Sequence, residues 1–189
     1  MTEIEHFQAW GPIPEESIQQ YEAVAPEGLP ELWREKGRGA IGELGFIRLV
    51  DPARAANMVR GIVSLPEGSV VVGVTALADL LVVLPGNTWA AIKYRWKVID
   101  PLPPGVTLDA YLDAVEDPGM LQDFFQWDVY PQAVERLGIP GEDRCFGYVP
   151  LLALGGRMAP ESLEEMGLWE HMMLNVQLAG PPTPRQAAG

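Results

Sequence analysis

Three closely spaced runs constrain this chain most: SVVVGVTA at residues 69–76, DLLVVLP at 79–85 and NTWAAIKYRWKVI at 87–99. All three are rich in β-branched and aromatic residues, which suit a pleated, packed surface, and Pro85-Gly86-Asn87 supplies turn chemistry between the last two. The expectation is an antiparallel meander. In the third run Thr88, Ala90, Ile92, Tyr94 and Trp96 share one face, and Trp89, Ala91, Lys93, Arg95 and Lys97 the other. The three cations read as a solvated sheet face with lysine guarding against edge pairing, in preference to a patch for an anion or an acidic partner.

Helices flank this sheet on both sides in sequence. Residues 14–25 open with proline and two acids and place Ile18 and Tyr21 on one face, and residues 30–36 repeat the device, with Leu32 and Trp33 inward and Gly37 as the stop. The glycines of residues 37–45 suggest a loop leading into a strand at 46–50. Asp51-Pro52, an N-cap followed by proline at the first helical position, starts a helix over 52–63. PLPPG at 101–105 can continue neither a helix nor a central strand, so it divides a first part, residues 1–100, from a second, 101–180. In the second part Thr107 caps a helix bearing Leu108, Tyr111, Leu112 and Val115 inward, and 120–137 form another helical stretch interrupted at Pro131. RCFGYVPLLALGGR (144–157) holds a buried strand at 146–154 that turns at Gly155-Gly156 toward a last helix over 160–178. Residues 181–189 read as a disordered tail. The fold class is α+β: N-terminal helices on a mainly antiparallel sheet, with a helix-rich C-terminal part adding one strand.

Composition narrows the functions open to such a fold. With 48% hydrophobic residues among 189, the chain has ample material for a core. Its formal charge of −13, from 13 basic and 26 acidic residues, disfavours nucleic acid and anionic membranes as direct partners and favours a basic protein. No run reaches the ~18–20 apolar residues of a spanning helix, and the acidic N-terminus lacks the charge and apolar region of a signal peptide. The single cysteine, Cys145, reads as a small buried hydrophobe in a reducing cytoplasm.

A search for chemistry yields little. The two histidines, His6 and His171, lack metal-ligand spacing, and no GxSxG elbow is present. GRGAIG at 37–42 lacks the lysine ending and the strand-before-helix order of a phosphate loop. The acids Asp113, Glu116, Asp117 and Glu161 to Glu165 sit in polar helical contexts as solvated faces. No catalytic residue, metal ligand or cofactor is assigned, and the chain reads as a non-enzyme. Trp127 beside Asp128, together with Glu142 and Asp143, are the candidate partner contacts.

One further pattern comes from Glu142-Asp143, Phe146-Gly147-Tyr148-Val149-Pro150, Leu154-Gly155-Gly156, and Trp169-Glu170-His171 with Val176-Gln177-Leu178 in the terminal helix. In this order they resemble the C-terminal domain of the Tdi-type immunity proteins of type VI secretion systems. Leu29 to Trp33, Gly37, Gly39, Val50-Asp51-Pro52, Thr75-Ala76 and Asp79-Leu80 look like the GAD-like N-terminal domain of the same family. The resemblance implies a cytoplasmic antidote that binds a cognate secreted toxin, a nuclease in the best-known cases. The motif residues 146–150 and 154–156 would then be scaffold. An acidic inhibitor steered to a basic nuclease surface is consistent with the charge balance. The alternative is a small-molecule or regulatory binding module with a pocket between the two parts.

Overall fold

The structure, a computed structural model, describes residues 4–185. Its elements are β1 (Phe7–Gly11), α1 (Glu15–Tyr21), α2 (Leu29–Lys36), β2 (Arg38–Ile41), β3 (Ile47–Leu49), α3 (Pro52–Val59), β4 (Val70–Thr75), β5 (Leu80–Leu84), β6 (Thr88–Lys93) and β7 (Val98–Pro101). Then follow α4 (Leu108–Glu116), α5 (Pro118–Phe125), α6 (Val129–Leu137), β8 (Arg144–Tyr148), β9 (Leu163–Gly167), α7 (Leu168–Ala179) and β10 (Thr183–Pro184). The class is α+β as expected. Eight strands run β1-β2-β3-β4-β5-β6-β7-β10, antiparallel except for the parallel β7–β10 pair, while β8 and β9 form a separate hairpin.

Both faces of the sheet are covered. Val70, Val72, Leu81, Val83, Trp89 and Ala91 pack in one core with Leu32, Trp33, Leu112, Leu121, Phe125 and Tyr130. Val71, Val74, Leu80, Val82, Ala90 and Ile92 form a second with Ala55, Val59, Cys145, Leu168 and Met172. Alternation along a strand therefore sorts residues between two cores rather than between core and water. That is why β4 and β5 read as almost continuous apolar runs. The parts on either side of PLPPG share the first core. They are also joined by backbone, since Phe146 N–H donates to Ala76 O in the β4–β5 turn at 2.8 Å.

Several expectations change. The glycine-rich stretch is a strand at β2, because Gly39 lies against Phe7 and Gln8 of β1, where a Cβ would collide with the Phe7 ring. Close approach of backbones, not turning, demands that glycine. The long helix expected over 160–178 is β9 followed by α7; Glu164 and Glu165 are exposed strand residues, not a helical first turn. Pro131 does not interrupt a helix. The break falls at Gln126, in the left-handed region at φ 51°, and Pro131 sits in the first turn of α6, where no N–H is needed. The strand expected over 146–154 stops at Tyr148; Val149 and Leu154 are exposed, and residues 152–154 form a short 3-10 turn. Residues 181–185 are not loose: Thr183 N–H donates to Lys97 O, and Arg185 pairs with Asp100. The rest of the expected tail, residues 186–189, lies outside the described residues.

Candidate functional site

Of the three cations expected on a solvated sheet face, Lys93 and Arg95 are buried and Lys97 is exposed. Strand β6 ends at Lys93, a short 3-10 turn carries Tyr94, Arg95 and Trp96, and Lys97 takes a left-handed conformation. Lys93 and Arg95 are 4% and 5% exposed, which decides against the solvated reading. Lys93 pairs with Asp100 at 2.8 Å and Arg95 with Asp79 at 2.8 Å. Each also donates to a carbonyl at the C-terminus of α5, Lys93 to Phe124 and Arg95 to Phe125. Those carbonyls lack intrahelical partners and carry the negative end of the helix dipole, so buried cations are well placed beneath them. Burial pushes the Asp79 carboxyl up, with Arg95 opposing. Asp100 is held down at about 2, first by the hydrogen bond from Arg185. Lys93 and Arg95 form an internal clamp that fixes α5 on the sheet.

The surface that this clamp positions is strongly acidic. Between Lys97 and Arg136 there is no lysine or arginine, while Asp109, Asp113, Glu116, Asp117, Asp123, Asp128 and Glu135 fall in that interval. Residues 101–189 carry 13 acids against 4 basic residues, whereas residues 1–100 carry 13 against 9. Asp113, Asp117, Asp123 and Asp128 are exposed on or beside α4, α5 and α6. The caps reinforce this placement: Thr107 accepts from Ala110 N–H, and Asp117 from Met120 N–H at 2.8 Å.

Trp127 lies at one side of this face in a groove of about 260 Å³ lined by Glu5, His6, Glu43, Glu116 and Phe46 among others. Its half-buried ring meets Phe46 edge-on at 5.9 Å, and Phe46 in turn contacts Phe125 and Tyr130. Tyr130 rests on Phe146 and donates from its hydroxyl to Leu44 O. An aromatic chain thus supports Trp127 from the core. Glu116 Oε1 is buried without a hydrogen-bond partner, and Asp128 is exposed. Trp127 is thus held half-buried from the core side, with Asp128 exposed next to it.

Glu142 and Asp143 occupy a different place. Glu142 pairs with Arg38, while Asp143 accepts from Arg54 at 2.8 Å and from the Trp169 indole at 3.1 Å. Burial raises the Asp143 carboxyl, but these two hydrogen bonds and the charges of Arg54 and Arg38 together outweigh it and leave the pKa below its usual value. Both acids are engaged in tying β2 and α3 to β8 and α7. Arg48, fully buried, completes this seam by donating to the carbonyls of Gly45, Pro140, Gly141 and Arg144.

The motif residues divide by burial. Phe146, Gly147 and Tyr148 are buried, whereas Val149, Pro150, Leu154 and Gly155 are exposed and Gly156 is half-buried. A Cβ at Gly156 would collide with Pro150 O, and Gly155 has φ +87°, so this pair makes the turn. Gly147 faces His171, whose ring burial lowers its pKa to about 4. Burial pushes the Cys145 thiol up to about 12, in keeping with an inert core residue.

His171 has a measurable consequence. Between about pH 4 and its ordinary 6.5 the unfolded chain binds a proton that the folded chain refuses, so stability rises with pH across that window. The contribution is complete above 6.5 and lost as pH falls toward 4, amounting to about 3 kcal/mol. Asp100 acts in a lower window, below its ordinary 3.8. Urea unfolding of wild type is expected to weaken steadily from pH 7 to pH 4.5, and His171→Gln to flatten that decline.

Among the described residues, no group of three His, Cys, Asp or Glu side chains is arranged as a metal site, and no helix is long and apolar enough to cross a membrane. The fold and its surface define an α+β scaffold presenting an acidic helical face. Residues 106–179, which include α4 to α7 and the β8–β9 hairpin, match the family model described as T6SS immunity protein Tdi1, C-terminal. Among solved structures, the crystal structure of Atu4351 from Agrobacterium tumefaciens is similar, with a TM-score of 0.72 and 12% identity over 89% of this chain and 82% of that one. At that identity the likeness is one of fold. No curated protein matches the chain.

Sequence reasoning singled out Trp127 and Asp128 by residue type and missed the clamp formed by Lys93 and Arg95. The missed signal was the parity of Lys93 with Trp89 and Ala91, which places it toward a core once both sheet faces are covered.

Proposed function

We propose that this chain is an immunity protein that binds a secreted toxin of a type VI secretion system in the cytoplasm and prevents self-killing. The observation that carries this reading is the match of residues 106–179 to the T6SS immunity protein Tdi1 C-terminal family, because the same residues build the acidic α4–α6 face. The toxin is a nuclease with a basic active-site surface, and Trp127 and Asp128 contact it. Residues 1–100 form a GAD-like part, a sheet that holds the C-terminal face rigid. Inhibition is blockade: the acids occupy the position of substrate phosphates, and complementary charge accelerates encounter.

Co-expression with the product of the adjacent open reading frame, the candidate toxin, tests the reading. Wild type is expected to restore growth and to co-purify with the toxin. The pair Asp123→Lys and Asp128→Lys, both at exposed positions, is expected to slow association roughly tenfold and weaken protection without unfolding the chain. A toxic neighbour that wild type neither neutralises nor binds would refute it.

A further inference from the structure

On the other side of the α4–α5 corner from Trp127 lies a second groove, about 190 Å³, between the sheet and the two helices. It shares Val115 and Leu121 with the Trp127 groove. Its lining is almost wholly apolar: Leu81, Trp89, Leu102, Met120 and Phe124 are typical. Met120 is 51% exposed, an unusual position for a large apolar side chain and one whose flexibility suits an adaptable contact. Trp89 and Tyr111 stack at 4.6 Å among the lining residues, and neither the indole N–H nor the phenol O–H has a hydrogen-bond partner.

The surroundings say what kind of occupant fits. On α4, Ala110 and Ala114 line the groove, and Asp113 and Asp117 fall on the same helical face by their spacing. On α5, Met120 and Phe124 line it, with Asp123 three residues from Met120. Asp113, Asp117 and Asp123 are exposed, so an apolar floor is bordered by carboxylates, and the cation recorded against the lining, Lys93 over the Phe124 ring at 3.8 Å, is buried and paired with Asp100. The volume suits one side chain, since an apolar cavity of ~150 Å³ accommodates benzene.

We propose that this groove seats one aromatic or branched apolar side chain carried on a lysine- or arginine-flanked segment of the bound toxin. The proposal rests on the toxin-binding reading above and adds a specific anchor to it. The apolar side chain fills the groove, the flanking cations meet Asp113, Asp117 and Asp123, and the segment brings acceptors that the buried donors lack. Charge then governs encounter, and the seated side chain governs residence.

The test measures the affinity of purified variants for catalytically disabled toxin. Ala110→Trp fills the groove from an exposed position, and Met120→Glu places a carboxylate at its mouth; each is expected to weaken binding at least tenfold with little change in melting temperature. Met120→Glu is decisive should Ala110→Trp fail to fold, because added negative charge would strengthen a contact governed by charge alone. Wild-type binding with both folded variants within twofold of it, or tighter binding by Met120→Glu, overturns the proposal while leaving the toxin-binding reading intact. Absence of wild-type binding removes that reading and the proposal with it. Two other outcomes also overturn the proposal: a dimer of wild type lost in Met120→Glu assigns the groove to a second copy. A melting shift with indole alone, lost in Ala110→Trp while toxin binding persists, assigns it to a small ligand.

Discussion

Replacing Asp79 by alanine is expected to cost about 3–5 kcal/mol of stability, lowering the melting temperature on the order of 10 °C. Asp79 is wholly buried and is the carboxylate paired with Arg95, which is itself 5% exposed. Removing it leaves a guanidinium with the Phe125 carbonyl but no counter-charge, and Arg95 Nε and Nη1 already have no hydrogen-bond partner. The unpaired charge, not the lost contact, dominates the penalty. The control follows from the same reasoning: Asp79→Leu combined with Arg95→Met removes both charges and is expected to be markedly more stable than Asp79→Ala. Urea unfolding of the single and double variants decides it, and equal losses in the two would contradict the pairing.

Gly147→Ala is expected to be nearly as damaging, at about 3 kcal/mol. Gly147 lies mid-strand in β8, paired with Glu164, and its backbone needs no left-handed conformation, so the requirement is space alone. A methyl there would lie 2.6 Å from both His171 Nε2 and Met166 Sδ and nearer still to His171 Cε1. The Met166 thioether can swing aside, but His171 cannot withdraw cheaply, because it is buried on α7 with the Asn175 amide 3.1 Å from its Nε2. The ring must shift or the hairpin must separate from α7. Thermal melting checks the magnitude; a loss within a few tenths of a kcal/mol would mean that the β8–α7 packing is looser than described. Combining the variant with His171→Ala is expected to recover part of the loss by emptying the space the methyl needs.

These two positions also show what was legible in the sequence. The antiparallel meander, the Asp51-Pro52 and Thr107 helix starts and the inward set Leu108, Tyr111, Leu112 and Val115 were readable because each rests on local pattern, and the structure places them as expected except that the run at 87–99 is not one strand but ends at Lys93 and folds back as β7. Lys93 and Arg95 were misread because their burial depends on α5, about thirty residues away, folding over that sheet face. No local pattern carries such information. Gly39 and Gly147 were readable as glycines but not as sites of close approach, since the side chains they admit, Phe7 and His171, arrive from distant segments. Glu164 and Glu165 resembled a helical first turn, yet they serve as exposed residues of a strand whose existence depends on pairing with β8. At the candidate surface, Trp127 and Asp128 were singled out from residue type, whereas the run without a cation between Lys97 and Arg136 gains meaning once Asp113, Asp117, Asp123 and Asp128 are seen to be exposed on or beside α4, α5 and α6.

The most direct measurement is a calorimetric titration of the purified chain with catalytically disabled toxin at low and high salt. A one-to-one complex with a Kd on the order of nanomolar, weakening as salt rises because opposite charges meet across the interface, is the predicted result. No complex at micromolar concentrations, with a toxin shown to be folded, would contradict the assignment of this chain as its antidote.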